Sequence, residues 1–400
     1  MKFGILKERK NPPDKRVVFS PDALLELQEK FPDFEVAVES SEVRIFTDEE
    51  YKAKGIQVSE DVSDCDVLLG VKEVPVENLI PNKKYFFFSH TIKKQPHNRS
   101  LLQAILAQNI ELYDHETIVD SHNIRLIGFG KYAGYVGTYN AFRGFGLKYD
   151  LFTLPKAGIV SSKEMLIAKL KRQMLPNIKI VVTGHGKVGG GVVEILNAMK
   201  IKLVSVDDFL SKIYTQPVYV HIDVHDYNKR KDGSASTPTD FYKNPQDYES
   251  DFRRFSEVAD IYIAGHFHAT SAPNILTADM LASHKCTLKV VADISCDVDG
   301  SVACTLRTST NENPFYGYLP SEHKEVAYTH PASIMVMAVD NLPSELPKDA
   351  SEGFGEQFAE HVIPAFYNGD KEGVLQRAKI TENGKLTPRF AYLQEYVGLE

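Results

Sequence analysis

A lysine and a histidine that each follow a short apolar segment, Lys72 after Val67 to Val71 and His90 after Tyr85 to Phe88, are the side chains best suited to moving protons in this chain. Chemistry at a nitrogen centre near neutral pH needs groups that can be tuned close to pH 7, and histidine and a partly desolvated lysine meet that need. Singly, a lysine ending a strand is a solvated edge charge and a lone histidine a structural one. Together, at the carboxyl ends of parallel strands where open α/β sheets bind ligands, they form an acid–base candidate. Arg16, in the loop after the first strand, could clamp a carboxylate through its planar fork or simply pair at the surface with Asp14. Arg125 raises the same two options, and Phe129 near it could be core.

The second chemical signal is Lys179-Ile180-Val181-Val182-Thr183-Gly184-His185-Gly186-Lys187-Val188-Gly189, an apolar strand running into a glycine-spaced turn and a helix. Gly184 would permit the tight turn, Gly186 would let backbone approach a pyrophosphate, Gly189 would let helix pack on strand, and phosphates would lie over the helix N-terminus. His185 and Lys187 are polar and could touch phosphate. Val188, Val192, Ile195, Leu196 and Met199 share one helical face, and Leu203 to Val206 resumes as a strand ending at Asp207-Asp208. An acidic side chain there accepts bonds from ribose hydroxyls and repels a ribose phosphate, so the expected cofactor is NAD, with NADP as the alternative. Leu288 to Ala292 ends in Asp293-Ile294-Ser295-Cys296-Asp297, where Asp297 could orient the nicotinamide side or hold a water and Asp293 could cap the turn.

Two histidine clusters, His221-Ile222-Asp223-Val224-His225 and His266-Phe267-His268, raise the question of zinc. Side chains lined along one strand face rarely converge on a tetrahedral site, so no metal is expected.

The elements that must position these groups alternate. Strands are expected at Phe3 to Leu6, Phe34 to Val38, Val67 to Val71, Tyr85 to Phe88 and Glu111 to Tyr113, with helices at Ser20 to Lys30, capped by Ser20, and Asn98 to Gln108, capped by Asn98. Lys131 to Leu147 reads as a connector helix between two domains. A polar insertion, Asp226 to Arg254, precedes the strand Ile261 to Ala264 and is too long for a plain connection. The tail beyond Gly317 has too few strands for its own domain and is expected to return to the first.

The 400 residues suit two domains, and 43% apolar with 25% charged residues is a globular composition. No apolar run is long enough to cross a bilayer and Met1 opens no leader, so a cytoplasmic location is expected by default. A net charge of −8 argues against a nucleic-acid surface. Cys65, Cys286, Cys296 and Cys304 form no CxxC pair and read as reduced thiols. The insertion and the C-terminal helix could each join copies of the chain into a homo-oligomer.

With those residues in view, the chain resembles the alanine dehydrogenase/transhydrogenase superfamily, and within it the saccharopine dehydrogenase (L-lysine-forming) or lysine-ketoglutarate reductase family. The resemblance spans almost the whole chain. It rests on Val71-Lys72-Glu73, Phe87 to Lys93, Gly128 to Gly134, Asp293 to Asp297 with Gly300-Ser301, Pro314-Phe315 and Asp340 to Pro347, and Gly384 to Pro388. It implies an α/β fold of two Rossmann-like doubly wound parallel-sheet domains with a cleft between them, the substrate domain at 1–135 plus 320–400 and the dinucleotide domain at 136–319. It also implies a reversible NAD(P)-dependent oxidation of saccharopine to lysine and 2-oxoglutarate. By that resemblance Lys72 and His90 are the acid and base; Arg16, Arg125 and Phe129 hold an amino-acid substrate; and Asp207 with Ile294, Ser295, Cys296 and Asp297 touch the cofactor. Relatives often have a small residue where Cys296 stands, and the reductase domain often prefers NADP. No second catalytic domain that would split saccharopine further is expected. An alanine dehydrogenase-like oxidative deaminase and a nicotinamide-binding protein without catalysis are the competing readings.

Overall fold

A computed structural model describes residues 1–269 and 271–398. The chain divides into two compact units, Met1–Phe129 with Pro347–Glu400, and Gly130–Leu346.

The first unit is built on six parallel strands, β1 (Lys2–Ile5), β2 (Glu35–Glu39), β3 (Gln57–Ser59), β4 (Val67–Lys72), β5 (Lys84–Phe88) and β6 (Glu111–Asp114). Their order is β3-β2-β1-β4-β5-β6. Strands such as Val67-Leu68-Leu69-Gly70-Val71 are buried throughout, as expected of a parallel sheet covered on both faces. The order reverses between β1 and β4, so the loops after these two strands part and open the carboxyl edge. The helix Pro21–Lys30 starts as expected, Ser20 Oγ accepting from Ala23 N at 3.2 Å. Asn98 does not cap the helix Arg99–Ala107. The preceding turn Pro96–Asn98 already holds it near helical geometry (φ −92°, ψ −3°), and its side chain donates to Gln95 instead. The returning helix Pro347–His361 adds Phe354 and Phe358 to an aromatic core with Phe86, Phe88, Phe129 and His115.

The second unit has β7 (Lys179–Thr183), β8 (Lys202–Leu203), β9 (Val218–Ile222), the hairpin β10 (Asn228–Arg230) and β11 (Tyr248–Ser250), then β12 (Ile261–Ala264), β13 (Val290–Asp293), β14 (Phe315–Leu319), β15 (Lys324–Val326) and β16 (Ile334–Met337). The main sheet runs β15-β14-β16-β13-β12-β7-β9-β8, parallel except for β14 and β15. The anticipated boundary at 319/320 falls at the end of β14. Ile334–Met337 is buried throughout and pairs with β13 on one edge and β14 on the other, so this part of the tail completes the second sheet and the chain re-enters the first unit only at Pro347. Gly130–Lys148, expected as a connector, is one helix wholly inside this unit. A Cβ on Gly134 would lie 2.2 Å from Val188 O, which shows how closely this helix crosses the helix Lys187–Ala198. The 226–254 insertion is ordered by its hairpin, with Phe241 and Tyr248 buried and Arg230 paired to Asp232 and Asp240.

The strand expected at Leu203 to Val206 is two residues long. Ser205 caps a helix, Val206–Ser211, by accepting from Asp208 N, and Asp207 sits exposed in its first turn. Serine followed by acidic residues is a helix start, and this local signal overrides the apolar run.

Candidate functional site

In the first unit the candidate acid and base, Lys72 and His90, gather on the carboxyl edge beside the reversal of strand order. Lys72 is the last residue of β4, where the pairing with β5 shifts register between Leu69 and Lys72. Its side chain is half-buried. Desolvation first, and then the Arg16 charge, pushes the ammonium below its ordinary value, although Asp14 and Glu73 pull the other way. A lysine so depressed gives and takes protons closer to neutrality than a solvated one.

His90 follows β5 in a left-handed conformation (φ 54°), and its backbone N–H donates to Asp114 Oδ2 at 3.1 Å. The same carboxylate takes the Ser89 N–H and hydroxyl, so the carboxyl end of β6 fixes the turn after β5. The imidazole Nδ1 meets Glu116 Oε2 at 3.2 Å, and Glu116 Oε1 meets Lys93 at 3.3 Å and Arg125 at 3.2 Å. Burial would raise the Glu116 carboxyl, but the His90 bond and the Arg125 and Lys93 charges outweigh it and bring it to about 2. A permanent carboxylate there makes Nδ1 the donor and leaves Nε2 to exchange a proton. Glu116 was not a candidate in the sequence, although it stands two residues beyond the end of a parallel strand.

Arg16 is neither on the surface nor a free clamp. It is buried, its Nε and Nη2 donate to the two oxygens of Asp14 at 3.0 and 2.6 Å, and its guanidinium lies 4.3 Å over the Phe129 ring. Asp14 therefore occupies the bidentate edge that a substrate carboxylate was expected to use. Phe129 is buried, stacked on Phe354 at 4.5 Å, and serves as the floor beneath Arg16. Arg125 is exposed, with one bond to Glu116, and lies 5.6 Å over Phe88.

In the second unit the glycine turn closes on itself. Gly184 has φ 98°, and a Cβ on it would stand 2.4 Å from Gly265 O; one on Gly189 would stand 1.7 Å from Gly184 O. Gly186, by contrast, faces open space and begins the helix Lys187–Ala198 with no side-chain cap. The first helical turn begins at Lys187, and the backbone N–H groups of a helix start, here at Lys187, Val188 and Gly189, are the donor set a pyrophosphate requires. Lys187 is exposed and Val188 is half-buried against Gly130. The residues present fit a dinucleotide.

After β13, Ile294 is buried against Gly137 and donates its N–H to Ala264 O at 3.0 Å. Ser295 Oγ and Thr305 Oγ1 donate to the buried Asp293 at 2.5 and 2.6 Å, so Asp293 holds the turn, as a cap would. Cys296 adopts φ 49° and Asp297 is exposed at the sheet edge.

Asp207 is not at the end of the strand beside β7. That neighbour is β9, because the chain runs out to β8 first and doubles back, and the residue that follows β9 is Asp223, the cap of the helix Val224–Tyr227. Asp223 accepts from Val224 N at 2.7 Å, is one-third exposed and has His225 Nδ1 at 4.0 Å. The histidines have other work. His221 Nε2 is 2.7 Å from Gly184 O and its ring stacks on His185 at 3.8 Å, while His266 bridges Thr183 and Ser301 at 2.8 and 2.7 Å. Among the described residues no group of three or more histidine, cysteine or acidic side chains could hold a metal, and no helix is long and apolar enough to cross a membrane.

The family descriptions "Alanine dehydrogenase/PNT, N-terminal domain" and "Alanine dehydrogenase/PNT, C-terminal domain" match residues 4–136 and 163–389. The chain is 30% identical to the mitochondrial alpha-aminoadipic semialdehyde synthase of Bos taurus, over 90% of this chain and 44% of that protein. It is 25% identical to the NAD(+), L-lysine-forming saccharopine dehydrogenase of Yarrowia lipolytica, over 81% and 82%. It spans about two-fifths of the length of the semialdehyde synthases it matches. A solved L-alanine dehydrogenase shares the fold with a TM-score of 0.65 at 16% identity, over 100% of this chain and 99% of that one.

Proposed function

The chain belongs to the alanine dehydrogenase/PNT family through both of its domains, and from that premise we propose that it is a nicotinamide-dependent dehydrogenase acting on a CH–NH bond, whose substrate is saccharopine. The observation that carries the reading is the pairing, on one sheet edge, of a lysine with a depressed pKa and a histidine locked by a permanent carboxylate. A protein that only bound nicotinamide would have no use for such a pair. The names of the relatives, saccharopine dehydrogenase and alpha-aminoadipic semialdehyde synthase, supply the substrate class.

A nicotinamide dinucleotide bound at the Gly184 to Gly189 turn would supply the hydride acceptor or donor. The chain's own residues do the rest. The first-turn N–H groups at Lys187 to Gly189 would hold the pyrophosphate, Asp223 would accept bonds from the adenosine ribose hydroxyls, and the Ile294 to Asp297 turn would contact the nicotinamide half. Asp223 favours NAD, since a carboxylate repels a ribose phosphate. Lys72 takes the proton of the secondary amine as it becomes an imine. His90, through Nε2, takes a proton from the water that adds to the imine and assists collapse of the carbinolamine to lysine and 2-oxoglutarate. Arg125 receives a substrate carboxylate, and Arg16, fixed on Asp14, contributes positive field.

Oxidation of NADH or NADPH, followed by absorbance with lysine plus 2-oxoglutarate against ammonia plus pyruvate, tests this. Turnover with the first pair and NADH is expected. Turnover only with ammonia and pyruvate would move the chain to an alanine dehydrogenase activity, and binding without turnover would leave it a nicotinamide-binding protein.

A further inference from the structure

The pairing of β1 with β4 runs through Phe3–Val67, Gly4–Leu68 and Ile5–Leu69, and one further bond joins Leu6 N to Leu69 O at 2.9 Å. Beyond it β1 turns away, and β4 still has three residues to run. Glu8, three residues past the end of β1, takes over the role of the missing strand. Its Oε1 accepts from Val71 N at 2.7 Å and its Oε2 from Lys72 N at 2.9 Å. This is also where the β4–β5 register slips, so the peptide groups from Gly70 to Lys72 are not fixed by a regular ladder on that side either. The Gly70 carbonyl is held by the buried His115, whose Nε2 lies 2.8 Å away. Burial pushes the His115 imidazole down to about 3, so the ring is neutral and donates through Nε2.

We propose that Glu8, with His115, is a positioning residue for Lys72: the two side chains clamp the bulged end of β4 and so fix the direction in which the Lys72 ammonium leaves the sheet. The inference rests on the reading of Lys72 as a proton-transfer group. A carboxylate suits the task because it alone among side chains accepts two N–H bonds on two oxygens while donating none. A glutamine would turn one of its N–H groups against a backbone N–H. An aspartate, one methylene shorter, would not span both amides. Gly70 lies beside this clamp, where an added Cβ would be in ordinary contact with Leu6 at 3.6 Å and Glu8 Oε1 at 3.8 Å. Desolvation drives Glu8 up to about 7 despite the two backbone bonds, with Asp14 raising it and Arg16 lowering it. The charged groups facing Lys72 are Arg16, Asp14, Lys10 and Glu73.

The test compares Glu8→Gln, Glu8→Asp and Lys72→Met in the intact chain, using NADH oxidation with lysine and 2-oxoglutarate across pH, NADH binding by cofactor fluorescence, and thermal melting. For Glu8→Gln, kcat is expected to fall about a hundredfold, the scale on which a reacting group displaced by an ångström loses rate. NADH affinity stays unchanged, and the limb of the pH profile that Lys72→Met removes moves to higher pH as the amine regains water. Glu8→Asp moves the same limb in the same direction although its charge is retained. Wild-type kcat and pH profile in both Glu8 variants would overturn the proposal, as would a loss of rate that matches the loss of folded protein with no shift of the limb. Full activity in Lys72→Met would instead overturn the reading of Lys72 itself, so the two failures are distinguishable.

Discussion

Replacing Asp223 by asparagine removes one charge from the rim of the dinucleotide unit and leaves the fold in place. Asparagine caps helices as well as aspartate does, and its amide oxygen can keep the bond from Val224 N, now 2.7 Å. The change is therefore electrostatic. A carboxylate about 5 Å from a dianionic phosphate repels it by roughly 2 kcal/mol in bulk water and roughly 7 at the lower dielectric near a protein surface. Asp223 is one-third exposed, and salt screens what solvent reaches, so a value near the lower end, about 3 kcal/mol, applies. That is about a hundredfold in the affinity for NADPH. NADH loses the stronger of its ribose contacts, bonds to a charged acceptor being worth about 1.5 kcal/mol more than nothing, and weakens about tenfold. The NADH-to-NADPH preference should thus fall about a thousandfold in Asp223→Asn, measured by cofactor fluorescence on binding to the otherwise wild-type chain. Asp207→Asn, in the first turn of the helix Val206–Ser211, is the control and should leave the ratio within a factor of two or so, being an exposed change off the strand beside β7. An unchanged ratio in Asp223→Asn together with a large shift in Asp207→Asn would refute the argument that the strand beside β7 carries the selective acid.

His90→Gln and Lys72→Met should each lower turnover by about a hundredfold or more, the range for loss of a general acid or base, with NADH binding intact; full activity in both would end the acid–base assignment. Glu116 lies at about 2 instead of 4.5, which at 1.36 kcal/mol per unit is on the order of 3 kcal/mol of stability. Because the folded value is depressed, that contribution is present above the unfolded value and is lost as pH falls through the folded one. The urea midpoint of the wild type should therefore drop more steeply than that of Glu116→Gln between pH 5 and pH 2, and parallel pH curves would contradict it. Gly134→Ala would drive a Cβ within 2.2 Å of Val188 O and 2.9 Å of Gly191 Cα, both backbone, and should destabilise the second unit by about 3 kcal/mol or more by calorimetry. Gly190→Ala meets nothing within 4 Å on the exposed side of the same helix pair and should instead stabilise by about 1 kcal/mol, a gain whose absence would question the helix crossing.

What the sequence determined by itself is local. Apolar runs bounded by polar turns located five of the six strands of the first sheet to within a residue or two, since a strand buried on both faces must be continuously apolar, and gave no sign of the short, partly exposed edge strand Gln57–Ser59. Ser20 and Pro21 marked a helix start because capping is a contact between residues three apart. The glycine turn was legible for the same reason: Gly184 and Gly189 meet within one turn of chain, and no other residue fits there. The tertiary structure decided everything that depends on which strands become neighbours. That β9 rather than β8 adjoins β7 puts Asp223, not Asp207, after the strand beside β7, and the pairing of β16 with β13 carried the tail through Met337 into the second sheet. Arg16 could be read as clamp or surface pair until its burial with Asp14 and Phe129 was visible. Glu116 beside His90 and Glu8 beneath Lys72 had no signal in the sequence at all, being 26 and 64 residues from the groups they hold. A carboxylate's effect on a partner falls off over a few ångströms, and only the order of strands in a sheet brings residues so far apart in sequence within that reach.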